Sequence, residues 1–253
     1  LDRSPTVTRD RPILGCVAVT GEVCRDVNLE VSPGEIVGLT GLLGAGHEEL
    51  PYLIYGAAEM VAGTITLDGR ALKHANPTRS RRAGIALLPA NRQRDSGVLT
   101  ATVRENVSLP SLASLRRPWG IDRRAERIAV EGVLTRFDVR PGRPNLPLLA
   151  LSGGNQQKAL LGRWIEQNPK LLLLDEPSNG VDVGARQAIF AELQNCARRG
   201  TAVVVASSQH DDIAAICSRA LVFSRGTVIA QVVGGDLTAA RLLSACYRPG
   251  AAV

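Results

Sequence analysis

Leu151-Ser152-Gly153-Gly154-Asn155-Gln156-Gln157-Lys158 precedes an apolar run, Leu171-Leu172-Leu173-Leu174, that ends in Asp175-Glu176-Pro177. The first stretch reads as a helix start. Ser152 is a good N-cap, and two glycines leave the following amides unshielded toward an anion. The second reads as a strand buried on both faces and closed by two carboxylates. Taken singly, each has a bland explanation: a well-capped helix, or a strand-end turn with solvated acids. Their order and spacing, with Ser178-Asn179-Gly180-Val181-Asp182 directly after, point instead to phosphate chemistry. Asp175 is then the residue that orients Mg²⁺ and water, and Glu176 the one that polarises the attacking water.

Upstream, Gly34-Glu35-Ile36-Val37-Gly38-Leu39-Thr40 runs into Gly41-Leu42-Leu43-Gly44-Ala45-Gly46-His47-Glu48. This is the frame of a strand, a glycine loop with the spacing of G-x-x-x-x-G-K-[ST], and a helix. Gly41, Gly44 and Gly46, with Ala45 between them, allow the left-handed turns that aim successive amides at phosphate oxygens. Two positions depart from the pattern. His47 stands where Lys would reach the β- and γ-phosphates, and Glu48 where a hydroxyl would hold Mg²⁺. Glu48 and Glu49 add negative charge and are expected to satisfy the dipole of the following helix, which a phosphate would otherwise use. Pro51 removes a further amide. The loop therefore predicts nucleotide binding that is weak or lost.

Strand-like runs at 36–40, 64–68, 85–88, 171–175, 202–207, 220–224 and 227–231 alternate with helical patterns at 100–108, 122–138, 155–167, 184–198 and 210–217. That alternation predicts an α/β fold with a parallel sheet. Short runs at 13–19 and 27–31, and Asp68-Gly69 closing another, predict a small antiparallel layer. Residues 91–167 carry no convincing strand. Pro141 through Pro147 reads as the loop leading into the helix at Ser152. The expected organisation is one composite domain over 1–253. Segments 1–90 and 168–253 supply the β layer and α/β core, and 91–167 a helical subdomain.

Bulk composition narrows the function classes. With 45% hydrophobic and 21% charged residues, the 253-residue chain can bury a globular core. No apolar run reaches the length of a membrane-spanning helix, about 20 residues. The opening Leu1-Asp2-Arg3-Ser4-Pro5 has neither an initiator Met nor a signal pattern, as expected of a piece of a longer chain. Five scattered cysteines without CxxC spacing read as buried thiols rather than a metal or disulfide framework. The net charge is +6, with clusters at Arg79/Arg81/Arg82, Arg92/Arg94 and Arg116/Arg117/Arg123/Arg124. Without interleaved aromatics, these clusters read as a solvated face rather than a nucleic-acid surface.

Taken together, the motifs resemble ATP-binding cassette (ABC) ATPases, whose fold is a P-loop NTPase with a RecA-like core, an antiparallel β layer and a helical subdomain. More narrowly, Asn155-Gln156-Gln157-Lys158 and Gly180-Val181-Asp182-Val183-Gly184 resemble the C-terminal cassette of sugar-import ATP-binding proteins, and Ser207-Ser208 before Ser218-Arg219 agrees. The resemblance implies ATP and Mg²⁺ as cofactors and Leu151 to Gln156 as the signature motif. It also implies Asp182 in the D-loop, Ser208 at the switch position and Ala90 at the Q-loop position. Ala90 departs from the Gln or Glu of the family, and His210 is displaced by two positions from the switch. The aromatic that stacks on adenine is not evident near residues 13–25.

Such cassettes pair head to tail. The implied partners are an N-terminal or second cassette, transmembrane permease subunits and, indirectly, a substrate-binding protein. The expected location is peripheral, on the inner face of the cell membrane. The reading that follows is a chain lending its signature to a partner's ATP while its own loop is degenerate. A non-catalytic scaffold cassette and a soluble ABC ATPase acting on nucleic acid are the alternatives.

Overall fold

A computed structural model describes residues 11–72 and 75–247. The N-terminal stretch Leu1 to Pro5 lies outside the described residues, as do the side chains of Arg92 and Gln93. The chain divides into two compact units. One comprises residues 1–87, 169–176 and 193–253; the other comprises 88–168 and 177–192.

The first unit begins with β1 (Leu14–Thr20) and β2 (Val27–Val31), followed by β3 (Ile36–Gly41), α1 (Leu50–Tyr55), β4 (Ala62–Leu67) and β5 (Arg70–Ala71). Next come α2 (Pro77–Ala83) and β6 (Ile85–Leu88). The antiparallel layer has the order β2-β1-β4-β5. Alternation explains it: in β2, Val27, Leu29 and Val31 are buried while Asn28 and Glu30 are exposed.

The second unit contains α3 (Val103–Ser108), α4 (Leu112–Leu115), β7 (Arg116–Arg117), β8 (Gly120–Ile121), α5 (Arg123–Arg136) and α6 (Gly153–Ile165). The chain continues through β9 (Leu171–Asp175), α7 (Val183–Arg198), β10 (Ala202–Ala206), α8 (His210–Ile216), β11 (Arg219–Ser224), β12 (Thr227–Val233) and α9 (Ala239–Cys246).

The main sheet has the order β12-β11-β3-β10-β9-β6. β3 runs parallel to β10 and β11, and β10 parallel to β9. Every residue of β3, β9 and β10 is buried, which is why these strands read as unbroken apolar runs rather than alternating ones. Gly38 permits the close approach of α8 to β3, since a Cβ there would lie 2.5 Å from Ile213 Cγ2.

In the second unit α3 starts three residues later than the periodicity suggests, because Thr102 caps it, while α5 starts within one residue of its expected place, capped by Asp122. The two-residue ladder β7–β8 is a strand pair within a segment expected to have none. Arg117 and Arg123 of the third arginine cluster pair with Asp122 and Glu126. All five cysteines are buried and unbridged, and burial pushes the Cys16 thiol up to about 12. Among the described residues, no helix is long and apolar enough to cross a membrane.

Candidate functional site

The glycine loop keeps its backbone frame. Gly44 and Gly46 have φ of 75° and 101°, and a Cβ on Gly46 would lie 3.1 Å from Gly226 Cα and 3.2 Å from Val23 Cγ1. The helix expected directly after the glycines starts only at Leu50, with Pro51 in its first turn and no side-chain cap. This corrects the expectation that Glu48 and Glu49 sit on a helix dipole. They precede the helix, and each takes backbone amides elsewhere.

Glu48 Oε2 accepts from the Gly46 amide at 3.2 Å. It also lies 2.9 Å from Nδ1 of His47, whose ring is buried. Burial opposes ionisation of Glu48, but the imidazole and the amides of Glu48 and Gly46 outweigh it and lower its pKa to about 2. The Glu49 carboxylate accepts from the amides of Glu22, Val23 and Cys24 at 2.7, 2.9 and 2.6 Å. The Cys24 thiol in turn donates to the Gly46 carbonyl at 2.9 Å. Residues 22–24 are thereby stitched onto the end of the glycine loop.

Asp175 closes β9 where the sequence places it, and the Tyr52 hydroxyl donates to its Oδ2 at 2.8 Å. Burial raises the Asp175 pKa to about 6, assisted by the neighbouring Glu176 charge and opposed by the Tyr52 bond. Glu176 follows with φ of 47°, a conformation that strains a residue bearing a Cβ. Three bonds hold its side chain: from Ser207 Oγ at 2.9 Å, from Ser208 N at 2.6 Å, and from Ser208 Oγ at 2.7 Å. Ser208 thus meets Glu176 at the position assigned to a switch residue. His210 instead opens α8, its Nε2 3.4 Å from Cys246 Sγ. Among the described residues, no group of three or more His, Cys, Asp or Glu side chains could hold a metal.

The signature residues and Asp182 belong to the second unit. Leu151 is buried, Ser152 is exposed, and α6 begins at Gly153. Ser152 does not cap the helix through its side chain, contrary to expectation; its Oγ accepts from Asn155 Nδ2 at 2.9 Å. Gln156 Nε2 donates to the Leu151 carbonyl, and buried Gln157 to the Pro177 carbonyl, both at 2.9 Å. Gly154 packs so closely that a Cβ would lie 2.9 Å from Ala185 Cβ and 3.1 Å from Asp182 Oδ2. Asp182 Oδ1 caps α7 by accepting from the Ala185 amide at 2.9 Å. Ala90 lies in the irregular segment after β6 and brings no polar side chain.

Sequence reasoning missed Tyr52, Ser207 and the bridging role of Glu49. Ser207 was legible as half of a Ser-Ser pair, whereas Tyr52 carried no motif signal.

Comparison with known proteins identifies the family. The family model described as ABC transporter matches residues 24–179, more than half of the chain. A putative ribose/galactose/methyl galactoside import ATP-binding protein of Agrobacterium fabrum is 39% identical over 224 residues, 88% of this chain and 45% of that protein. The xylose import ATP-binding protein of Paraburkholderia xenovorans is 39% identical over 225 residues, 88% of this chain and 43% of that protein. A nucleotide-free ATP-binding cassette from an ABC transporter superposes with a TM-score of 0.79 at 20% identity, covering 92% of this chain and 96% of that one. The chain therefore belongs to the ABC transporter family and has the fold of its ATP-binding cassettes. Its relatives include ATP-binding proteins of sugar import, and it spans about half the length of those curated relatives.

Proposed function

We propose that this chain is the second, C-terminal cassette of a sugar-type importer. In this reading it donates its signature to ATP held by a partner cassette, while its own loop is degenerate. The observation that carries the donor role is the start of α6. Ser152 is exposed and uncommitted to capping, and Gly153 and Gly154 follow with no side chain to shield their amides. Asp182 packs against Gly154 and braces that surface.

The residues at the chain's own loop do not fit a magnesium triphosphate. The Gly46 amide is engaged by Glu48, position 48 offers no hydroxyl, and Tyr52 occupies Asp175 Oδ2. No catalytic step is therefore assigned to that loop. The sugar substrate class is taken from the names of the relatives, which are import ATP-binding proteins for ribose and galactosides, and the permease partners and peripheral membrane location belong to the same proposal.

The test is Ser152→Arg in the two-cassette protein, which places a bulky cation over the amides. Transport-linked hydrolysis should fall to background, and an unchanged rate overturns the donor role. Robust Mg²⁺-dependent turnover by this chain alone, abolished by Glu176→Gln, would overturn the degenerate-loop reading.

A further inference from the structure

We propose that Glu48 is an internal anion that closes the phosphate-binding turn of this chain, so that one carboxylate rather than a collapsed loop excludes nucleotide. The inference rests on the degenerate-loop reading and names its cause. Three observations carry it. Gly44 and Gly46 still hold the positive φ values that a phosphate-cradling turn needs. The Gly46 amide, a donor such a turn would aim at phosphate, instead donates to Glu48 Oε2 at 3.2 Å. His47, at the position of the phosphate-reaching lysine, is buried with its Nδ1 2.9 Å from that same oxygen.

The amide is thus committed to a neighbouring carboxylate, and the buried imidazole at the lysine position lies against that same carboxylate. An incoming phosphate would have to displace a tethered carboxylate at high effective concentration and then remain beside its charge. The flanking structure is built to keep this arrangement. Glu49 gathers the amides of residues 22–24, and Cys24 bonds the Gly46 carbonyl, so the turn is anchored at the same residue whose amide Glu48 takes. Gly44 and Ala45 also line a cavity of about 590 Å³.

The experiment titrates pyrophosphate and ATP by calorimetry into the wild-type chain and into Glu48→Thr, Glu48→Gln and His47→Lys, each checked by circular dichroism. Wild type should bind neither measurably. Glu48→Thr, which removes the carboxylate and restores a hydroxyl, should gain affinity for both by at least about tenfold. Glu48→Gln keeps the shape without the charge and should gain less, and it serves if the threonine variant does not fold. Pyrophosphate gained alongside ATP places the gain at the turn rather than at a base-binding surface. Gain by His47→Lys alone, or by neither folded Glu48 variant, overturns the proposal while leaving the degenerate-loop reading intact. Tight binding by wild type overturns both.

Discussion

Removal of the Glu49 carboxylate is a direct measure of how the glycine loop is buttressed. Its two oxygens accept from three consecutive amides at 2.6 to 2.9 Å, distances expected of charge-assisted bonds. Hydrogen bonds to a charged group contribute about 1.5–3 kcal/mol each, but the three do not count equally. The bonds at Glu22 and Val23 are exposed, so water replaces the lost acceptor; the bond at Cys24 is partly buried. Glu49→Ala should therefore destabilise by about 2–3 kcal/mol, most of it from the Cys24 amide and the lost packing over Gly21. Glu49→Gln, retaining one acceptor oxygen, should lose about 1 kcal/mol. Urea denaturation followed by circular dichroism gives the totals, and hydrogen exchange locates them: amides 22–24 should lose protection while β9 and β10 keep theirs. Unchanged protection at 22–24 in a folded Glu49→Ala protein would refute the reasoning.

Two further outcomes follow from the carboxylates beside the loop. Asp175 has a folded pKa of about 6 against an ordinary 3.8, so the folded state binds the proton more tightly and stability falls as pH rises through that window. Asp175→Asn, whose carbonyl can still accept from Tyr52, should stabilise by up to about 3 kcal/mol at pH 7.5 and by nothing below about pH 4; a gain independent of pH would contradict this. Ser208→Ala should remove one bond to the strained Glu176 and destabilise by about 1–2 kcal/mol. The same change in a Glu176→Ala background should have little effect, and additivity in that double-mutant cycle would show that the pair does not interact.

Much of the architecture was legible because buried parallel strands announce themselves. Leu171–Asp175 and Ala202–Ala206 read as apolar runs and are buried throughout. The glycine loop, the signature and the Asp-Glu pair were equally legible, since each needs particular residue types at fixed spacing. Helix ends were less so: α3 starts at a capping bond three residues into the expected helix, which periodicity does not register. The ladder at 116–121 is too short for any alternation to show.

What the chain by itself determined is the family, and the identity of the two residues that depart from the phosphate loop, His47 and Glu48. Local sequence could say only that Glu48 and Glu49 add charge near a helix. Tertiary structure decided where those charges go. The helix waits until Leu50, the Glu48 carboxylate turns back to Gly46, and Glu49 reaches across to residues 22–24. Tyr52 reaching Asp175, and the two serines closing on Glu176, are likewise meetings of segments more than 30 residues apart. Such partners are chosen by strand order and loop packing, which bring distant donors within 3 Å of a carboxylate that would otherwise be solvated.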